Sequence, residues 1–222
     1  MSMRLKRRPV IFMPHWDVRL AGFLTRRNYR CIGVGSTDPF DIALFVDGPP
    51  VTPIFYGEAK LGSLKCSMER DRSDVKAFRQ LKASTPKLGI GRGAHLLNIM
   101  NGGSAWQHVD GHNGGPHVTT CLLTGKTVIL SSLHSQLMLP NERADILTIS
   151  KQAKHLFSDG IQLHRDVELK DALDVEACYY LDTNSLCFQP DVQHGHEGTL
   201  NYLETLMHSV LVLGRNDITC EP

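Results

Sequence analysis

Lys87-Leu-Gly-Ile-Gly-Arg-Gly-Ala-His-Leu-Leu-Asn-Ile-Met-Asn-Gly-Gly103 carries two patterns with almost nothing between them. Lys87 to Ile90 has the length and composition of a short buried strand. From about Arg92 to Met100 the apolar residues recur at helical spacing, and the Gly102-Gly103 pair stops them. A single residue, Gly91, separates strand from helix. A strand that turns this sharply into a helix presents its turn residue at the carboxyl edge of a sheet, where an attacking side chain meets a substrate and the helix N-terminus favours negative charge. Here the turn residue has no side chain.

Outward from this bend the chain alternates. Val10 to Met13 reads as a strand, and Asp17 caps a helix carried by Val18, Leu20, Ala21 and Leu24 that ends near Asn28. Arg30 to Val34 and Ile42 to Val46 are two more apolar runs, separated by Gly35, Ser36, Asp38 and Pro39. A charged helix with apolar Val75, Phe78 and Leu81 spans Glu69 to about Ala83. Downstream, His117 to Leu123 and Lys126 to Ser131 predict a hairpin around Thr124-Gly125. Ile146 to Ile149, Val175 to Leu181 and Ser185 to Phe188 are further strands. A last amphipathic helix uses Leu200, Leu203, Leu206, Met207, Val210 and Leu211, with Gly214 as its stop. Strands alternating with helices in the first half predict a mostly parallel sheet covered on both faces. No internal repeat or low-complexity linker is visible, so residues 1–222 are read as one domain.

Apolar residues make up 41% of the 222 and charged residues 21%, which excludes wholesale disorder. No apolar stretch approaches the roughly 20 residues of a membrane span. The formal charge is +1, so the molecule as a whole asks for no nucleic acid or anionic membrane as partner. The first 30 residues nevertheless hold eight basic side chains against one acid, Asp17. Two readings stay open: a solvated start with one charged helix face, or an anion-binding role for Arg4, Lys6, Arg7 and Arg8, marked by binding to nucleic acid or an acidic protein that weakens steeply with salt. The six cysteines, at 31, 66, 121, 178, 187 and 220, form no CxxC pair, which suits a reducing, cytoplasmic setting. The basic amino-terminal lead precedes only four consecutive apolar residues, so no secretory signal is expected.

Gly89, Ile90, Arg92, Gly93, Leu97, Asn98, Asn101, Gly102 and Gly103 match G-I-C-R-G-x-x-x-L-N-x-x-N-G-G, and the segment thereby resembles the class I glutamine amidotransferase family, in its gamma-glutamyl hydrolase-like branch. Asp41-Ile-Ala-Leu-Phe-Val-Asp-Gly-Pro-Pro-Val-Thr-Pro-Ile-Phe-Tyr-Gly-Glu58 looks like that family's strand and oxyanion loop, with Val51, Pro53, Tyr56, Gly57 and Glu58 fitting and Asp47 standing for the first glycine. Trp106-Gln107-His108, His112 and His117 resemble its histidine-rich passage, Ser132-Leu-His-Ser-Gln136 its S-x-H-x-Q glutamyl-pocket segment, and Val175-Glu-Ala177 its V-E-A strand. The matches run in the family's order over roughly residues 30 to 213. The resemblance implies a flavodoxin-like three-layer α/β/α sandwich with its site at the carboxyl ends of the parallel strands.

The same resemblance implies a cysteine, histidine and glutamate triad, and the chain lacks all three. Gly91 occupies the nucleophile's position. Where the family reads G-V-Q-x-H-P-E, this chain reads Cys187-Phe-Gln-Pro-Asp-Val-Gln193; Gln189 keeps register, Asp191 stands for the base and Gln193 for its orienter. Glycine cannot attack a carbonyl, an aspartate with an ordinary pKa of about 4 is a poor base, and an amide supplies no negative charge to orient one. A carboxylate at Asp47 would also oppose a developing oxyanion. The expectation is a catalytically inactive relative that binds a partner protein or an amino-acid-like ligand, with Asp47, Gly48, Arg92, Ser132, His134 and Gln136 as pocket residues. The alternative is an active gamma-glutamyl hydrolase- or amidotransferase-type enzyme with a non-cysteine site rebuilt from His112, His134, Asp191 or a metal, a setting in nucleotide or DNA modification being one association of such relatives.

Other features have plainer readings. Gly33-Val-Gly35 and Gly89-Ile-Gly91-Arg-Gly93 lack full G-x-G-x-x-G spacing, so no dinucleotide cofactor is expected. His108, His112 and His117 with Asp110 have metal-ligand chemistry, but Gly114-Gly115-Pro116 reads as a loop and no metal is assigned. His194-Gly-His196 beside Glu197 reads as a solvated turn, and Cys121 and Cys178 as buried thiols. Arg92 either pairs with an acidic neighbour or grips a ligand carboxylate. Ser132, His134 and Gln136 are either pocket walls or hydrogen-bonded strand ends. A homo-oligomer is compatible with the sequence.

Overall fold

In a computed structural model, residues 7–62, 64–112, 114–151, 155–158, 161–164, 174–192 and 197–212 are described. The first half runs β1 (Val10–Met13), α1 (Val18–Arg26), β2 (Arg30–Gly33), β3 (Ile42–Phe45), α2 (Met68–Gln80), β4 (Lys87–Ile90) and α3 (Arg92–Met100). The second half is richer in strands: β5 (Ser104–Trp106), β6 (His108–Val109), β7 (Gly115–Cys121), β8 (Thr127–Ser132), β9 (Leu137–Leu139) and β10 (Ala144–Ser150). Then come β11 (His155–Ser158), β12 (Ile161–His164), β13 (Asp174–Tyr180), β14 (Ser185–Phe188) and α4 (Glu197–Leu206), which continues as a π-helix over Met207–Val212.

The main sheet has the order β2-β1-β3-β4-β14-β13-β10-β7-β8. Its first five strands are mutually parallel. From β14 onward the pairs are antiparallel, so the parallel sheet expected from the β/α alternation is the half that carries the bend, and hairpins extend it. β5 and β9 attach beside β13, while β12, β11 and β6 form a separate three-stranded sheet.

Helices cover both faces, as the three-layer reading requires. Leu20, Ala21 and Leu24 of α1 and Leu200, Leu203 and Leu206 of α4 pack on Ile11, Ile42, Leu44, Leu88 and Ile90. Val75 of α2 and Ala94, Leu96 and Leu97 of α3 pack on Ala43 and Phe45 of the opposite face. Asp17 caps α1 as expected, its carboxylate accepting from the N–H groups of Arg19 and Leu20 at 2.9 and 3.0 Å. Gly214, the anticipated stop of the last helix, lies outside the described residues.

One close approach fixes the geometry around the bend. An added Cβ at Gly93 would lie 2.0 Å from the Phe45 carbonyl oxygen, so only glycine lets the first turn of α3 rest on β3. Family-like residues do scaffold work nearby. Asn98 Nδ2 donates to Ser104 O at 2.7 Å while its Oδ1 accepts from the Tyr180 hydroxyl at 2.6 Å, tying α3 to β5 and β13. Glu58 accepts from Ser104 Oγ at 2.7 Å and Gln107 Nε2 at 3.1 Å, holding the loop after β3. Among the described residues, no helix is long and apolar enough to cross a membrane.

Candidate functional site

Gly91 adopts φ 55° and ψ −119°, a backbone conformation that glycine reaches without strain. Its N–H donates to Phe188 O at 3.0 Å, and its carbonyl accepts from Ala94 N at 3.0 Å, so the bend is pinned to β14 on one side and starts α3 on the other. The loop leaving β3 brings Asp47 directly over it. Asp47 Oδ1 accepts from the Arg92 N–H at 2.9 Å, and a Cβ built on Gly91 would meet that oxygen at 2.5 Å and Asp47 Cγ at 2.7 Å. The carboxylate therefore fills the space into which a side chain at the bend would grow. It also takes the N–H that follows the bend, which strand-turn-helix enzymes direct at an oxyanion. A negative group at a helix N-terminus is favourable in itself; here the chain supplies its own.

This crowding is measurable. Gly91→Cys is expected to lose about 1–3 kcal/mol of unfolding free energy, through overpacking against Asp47 and the positive φ. Adding Asp47→Gly should recover part of it, giving a coupling above about 0.5 kcal/mol in a double-mutant cycle measured by urea denaturation. Strictly additive losses would show that the two positions do not share space.

The Arg92 side chain leaves the cleft. Its NH2 lies 2.5 Å from Asp71 Oδ1 and its NH1 bonds Asp74 Oδ2, all three side chains being almost wholly buried. Asp74 also accepts from Arg70 Nε at 2.9 Å, and Asp71 accepts from Thr52 N at 2.9 Å. Of the two sequence readings for Arg92, the pairing with acidic neighbours is the one observed; what it offers the cleft is its backbone N–H.

The cleft above Gly91 has a volume of about 230 Å³ and is lined in part by Asp47, Gly48, His95, His134, Gln136 and Asp191. Asp191 is anchored through its N–H to Ser131 O at 2.9 Å. Gln189 is committed to structure: its Oε1 accepts from Met138 N at 3.0 Å and its Nε2 donates to Gln136 O at 2.6 Å. His134 Nδ1 lies 2.8 Å from the same Gln136 carbonyl. His95, on the first turn of α3, is buried, and its Nδ1 has no hydrogen-bond partner among the described residues. Burial above all, with His134 and Arg92 nearby, pushes its imidazole down to about 3, so it is neutral at ordinary pH. Gln193, His194 and His196 lie outside the described residues.

Ser132 is not among the residues lining the cleft. Its hydroxyl donates to His112 O at 2.5 Å, and it belongs to a buried polar cluster beside the cleft. His112 Nε2 is 3.1 Å from Asp174 Oδ2, His117 Nε2 is 2.8 Å from Glu176 Oε1, and the His112 and His134 rings stack with centroids 4.6 Å apart. Burial pushes the Glu176 carboxyl up, but the hydrogen bond from His117, the approach of His134 and the charges of His134 and His112 outweigh it and hold the group well below the usual carboxylate range. For His117 burial pulls downward, while the bond to Glu176 and its charge prevail and raise the imidazole. The histidine group read from sequence is split: His108 faces Asp110 at 3.3 Å on the surface, whereas His112 and His117 converge with Glu176, their ligand atoms within 4.8 Å of one another. The sequence reading gives Asp174 and Glu176 no role in this cluster. Their signal is two carboxylates at i, i+2 in an otherwise apolar strand, a spacing that puts both on one face.

Residues 36–164, more than half of the chain, match the model of the Peptidase C26 family. No curated protein matches the sequence. Among solved structures, a protein from Thermoplasma acidophilum described as part of a GMP synthase is 14% identical, with 89% of this chain and 92% of that chain covered at a TM-score of 0.59. A glutamine amidotransferase from Thermotoga maritima is 12% identical, covering 90% and 83% at a TM-score of 0.54. PurLQS from Thermotoga maritima is 13% identical, covering 88% and 99% at 0.53. At such identities the likeness speaks for the fold, and the family match adds the lineage. A glycine elbow at the end of β4, the ordered matches around it and the model spanning residues 36–164 together make this chain a member of the Peptidase C26 family, built on the class I glutamine amidotransferase fold.

Proposed function

We propose that this chain is a catalytically silent amidotransferase-like protein that acts by binding, receiving an amino-acid-like ligand or a partner's side chain in the cleft above Gly91. The observation that carries this reading is the seat of Asp47, in the volume of the missing nucleophile and on the Arg92 N–H. A silent site can keep that bond; an acyl-transfer site needs the same N–H for its oxyanion. The cleft's chemistry then selects its guest. Asp47 and Asp191 supply carboxylates, while the Arg92 guanidinium is spent on Asp71 and Asp74, so the ammonium end of an amino acid or a lysine-like side chain is the group that finds a partner. A protein partner and a cytoplasmic setting accompany this reading; the similar protein from Thermoplasma acidophilum is described as one component of a larger enzyme, which supports the first.

Calorimetry with the purified chain tests it. Glutamine is expected to bind without turnover, N-acetylation of the ligand to weaken it at least about tenfold, and Asp191→Asn to do the same, a loss in keeping with a charge-assisted hydrogen bond. Hydrolysis of glutamine or a gamma-glutamyl compound that disappears in Asp191→Asn or His134→Ala would overturn the reading in favour of a rebuilt active site.

A further inference from the structure

We propose that His112, His117 and Glu176 bind a zinc-class divalent metal ion, with His134 closing the site and Asp174 holding His112 from behind. Each ligand rests on a separate element: His112 precedes β7, His117 lies on β7, Glu176 on β13 and His134 follows β8.

The donor spacing fits. Metal–ligand bonds of 2.0–2.1 Å in a tetrahedron place neighbouring donors roughly 3.3 Å apart. His117 Nε2 is 2.8 Å and His112 Nδ1 3.5 Å from Glu176 Oε1, and His134 Nε2 is 3.6 Å from Glu176 Oε2. Small side-chain shifts suffice to centre an ion among His112, His117 and Glu176, whose ligand atoms lie within 4.8 Å of one another, and a movement of His134 toward Glu176 Oε2 adds the fourth donor.

Hydrogen-bond arithmetic makes the same case. His112 faces a carboxylate with each ring nitrogen: Asp174 Oδ2 at 3.1 Å from Nε2, and Glu176 Oε1 at 3.5 Å from Nδ1. A neutral imidazole carries one N–H, so one of these nitrogens turns a lone pair on an anion. With a cation bound at Nδ1 the conflict vanishes, and Nε2–H donates to Asp174, the carboxylate–histidine–metal arrangement that fixes a ligand's tautomer. Glu176 Oε2 is fully buried and has no hydrogen-bond partner among the described residues, with His134 Nε2 3.6 Å away, so it is a metal-donor atom aimed into the cluster. Asp174 and Glu176 are both fully buried, and carboxylates at that depth are held by pairing or by metal. The proposal does not depend on whether the neighbouring cleft is catalytically silent.

The test uses the full chain, stripped with chelator and then exposed to zinc chloride. One equivalent of zinc should remain after gel filtration, and at about 100-fold excess over Kd the melting temperature should rise by about 5–10 °C. Cobalt(II) should give the visible absorption of a tetrahedral site. Glu176→Gln should abolish stoichiometric binding, Asp174→Asn should weaken Kd about 10–100-fold, and His108→Ala should change nothing. Less than stoichiometric zinc on the wild-type chain, or equal binding by Glu176→Gln, would overturn the proposal and leave a protonated imidazole–carboxylate network. Because the wild-type measurement is decisive, a variant that fails to fold does not rescue it.

Discussion

Arg92→Ala is expected to cost about 3–5 kcal/mol of unfolding free energy, the loss characteristic of removing one partner from a buried ion pair. Asp71 and Asp74 are both nearly inaccessible, and each addresses a different nitrogen of the same guanidinium. Without it, Asp71 keeps its bonds from Thr52 and Asp74 keeps Arg70, so neither carboxylate is wholly abandoned, but the charge between them is gone. Arg92→Lys should fall between wild type and alanine, since an ammonium cannot span two carboxylates as a planar fork does. Against a typical total of 5–15 kcal/mol, the alanine variant would lose a fifth or more of its stability. The measurement is the urea midpoint at unchanged m-value. A loss under about 1 kcal/mol would mean that the triad is no better than a surface pair.

Acid is expected to weaken the fold through His95. Its imidazole is pushed from the usual 6.5 down to about 3 by burial. Below pH 6.5 the unfolded chain takes up a proton that the native state refuses, so the stability this residue provides is complete above pH 6.5 and drains away as pH falls toward 3. At 1.36 kcal/mol per unit of separation, the loss approaches roughly 4–5 kcal/mol. His95→Leu removes both the titration and the orphaned Nδ1. The stability difference between variant and wild type should therefore grow in the variant's favour from pH 7 to pH 4. Parallel curves for the two proteins would sink the claim.

The sequence was most legible where local punctuation and apolar runs coincide. β1, β4, α3 and β14 fall on the residues expected, because Pro, Gly and Asn bracket each run and nearly all residues of the runs are buried. The short strands β5, β6 and β9 escaped because two or three residues carry no period, and they exist only through distant partners, β5 and β9 chiefly through each other and β6 through β11. In the cleft, sequence located the bend and the acid at Asp47; Gly91, Asp191 and Gln193 as substituted triad positions remain a reading of the sequence. It did not reveal that this acid closes onto the Arg92 N–H, a contact across 45 residues. The metal-like donors were half visible: the histidines are grouped along the chain, but Glu176 joins them only when β13 pairs into the sheet. Asp71 and Asp74 gave a fairer signal, three residues apart on one face of α2 and ready for a common cation.

The contact between Gly93 and the Phe45 carbonyl has a consequence for how such a protein can age. The curvature at the end of β4 is imposed by backbone lying on backbone and asks nothing of the side chain above it. Chemistry can therefore drain out of position 91 while the mould that held it stays rigid, and a newcomer at that spot inherits a posture shaped for work. Whatever stands at that position, reactive or inert, is held by the same rigid tooling.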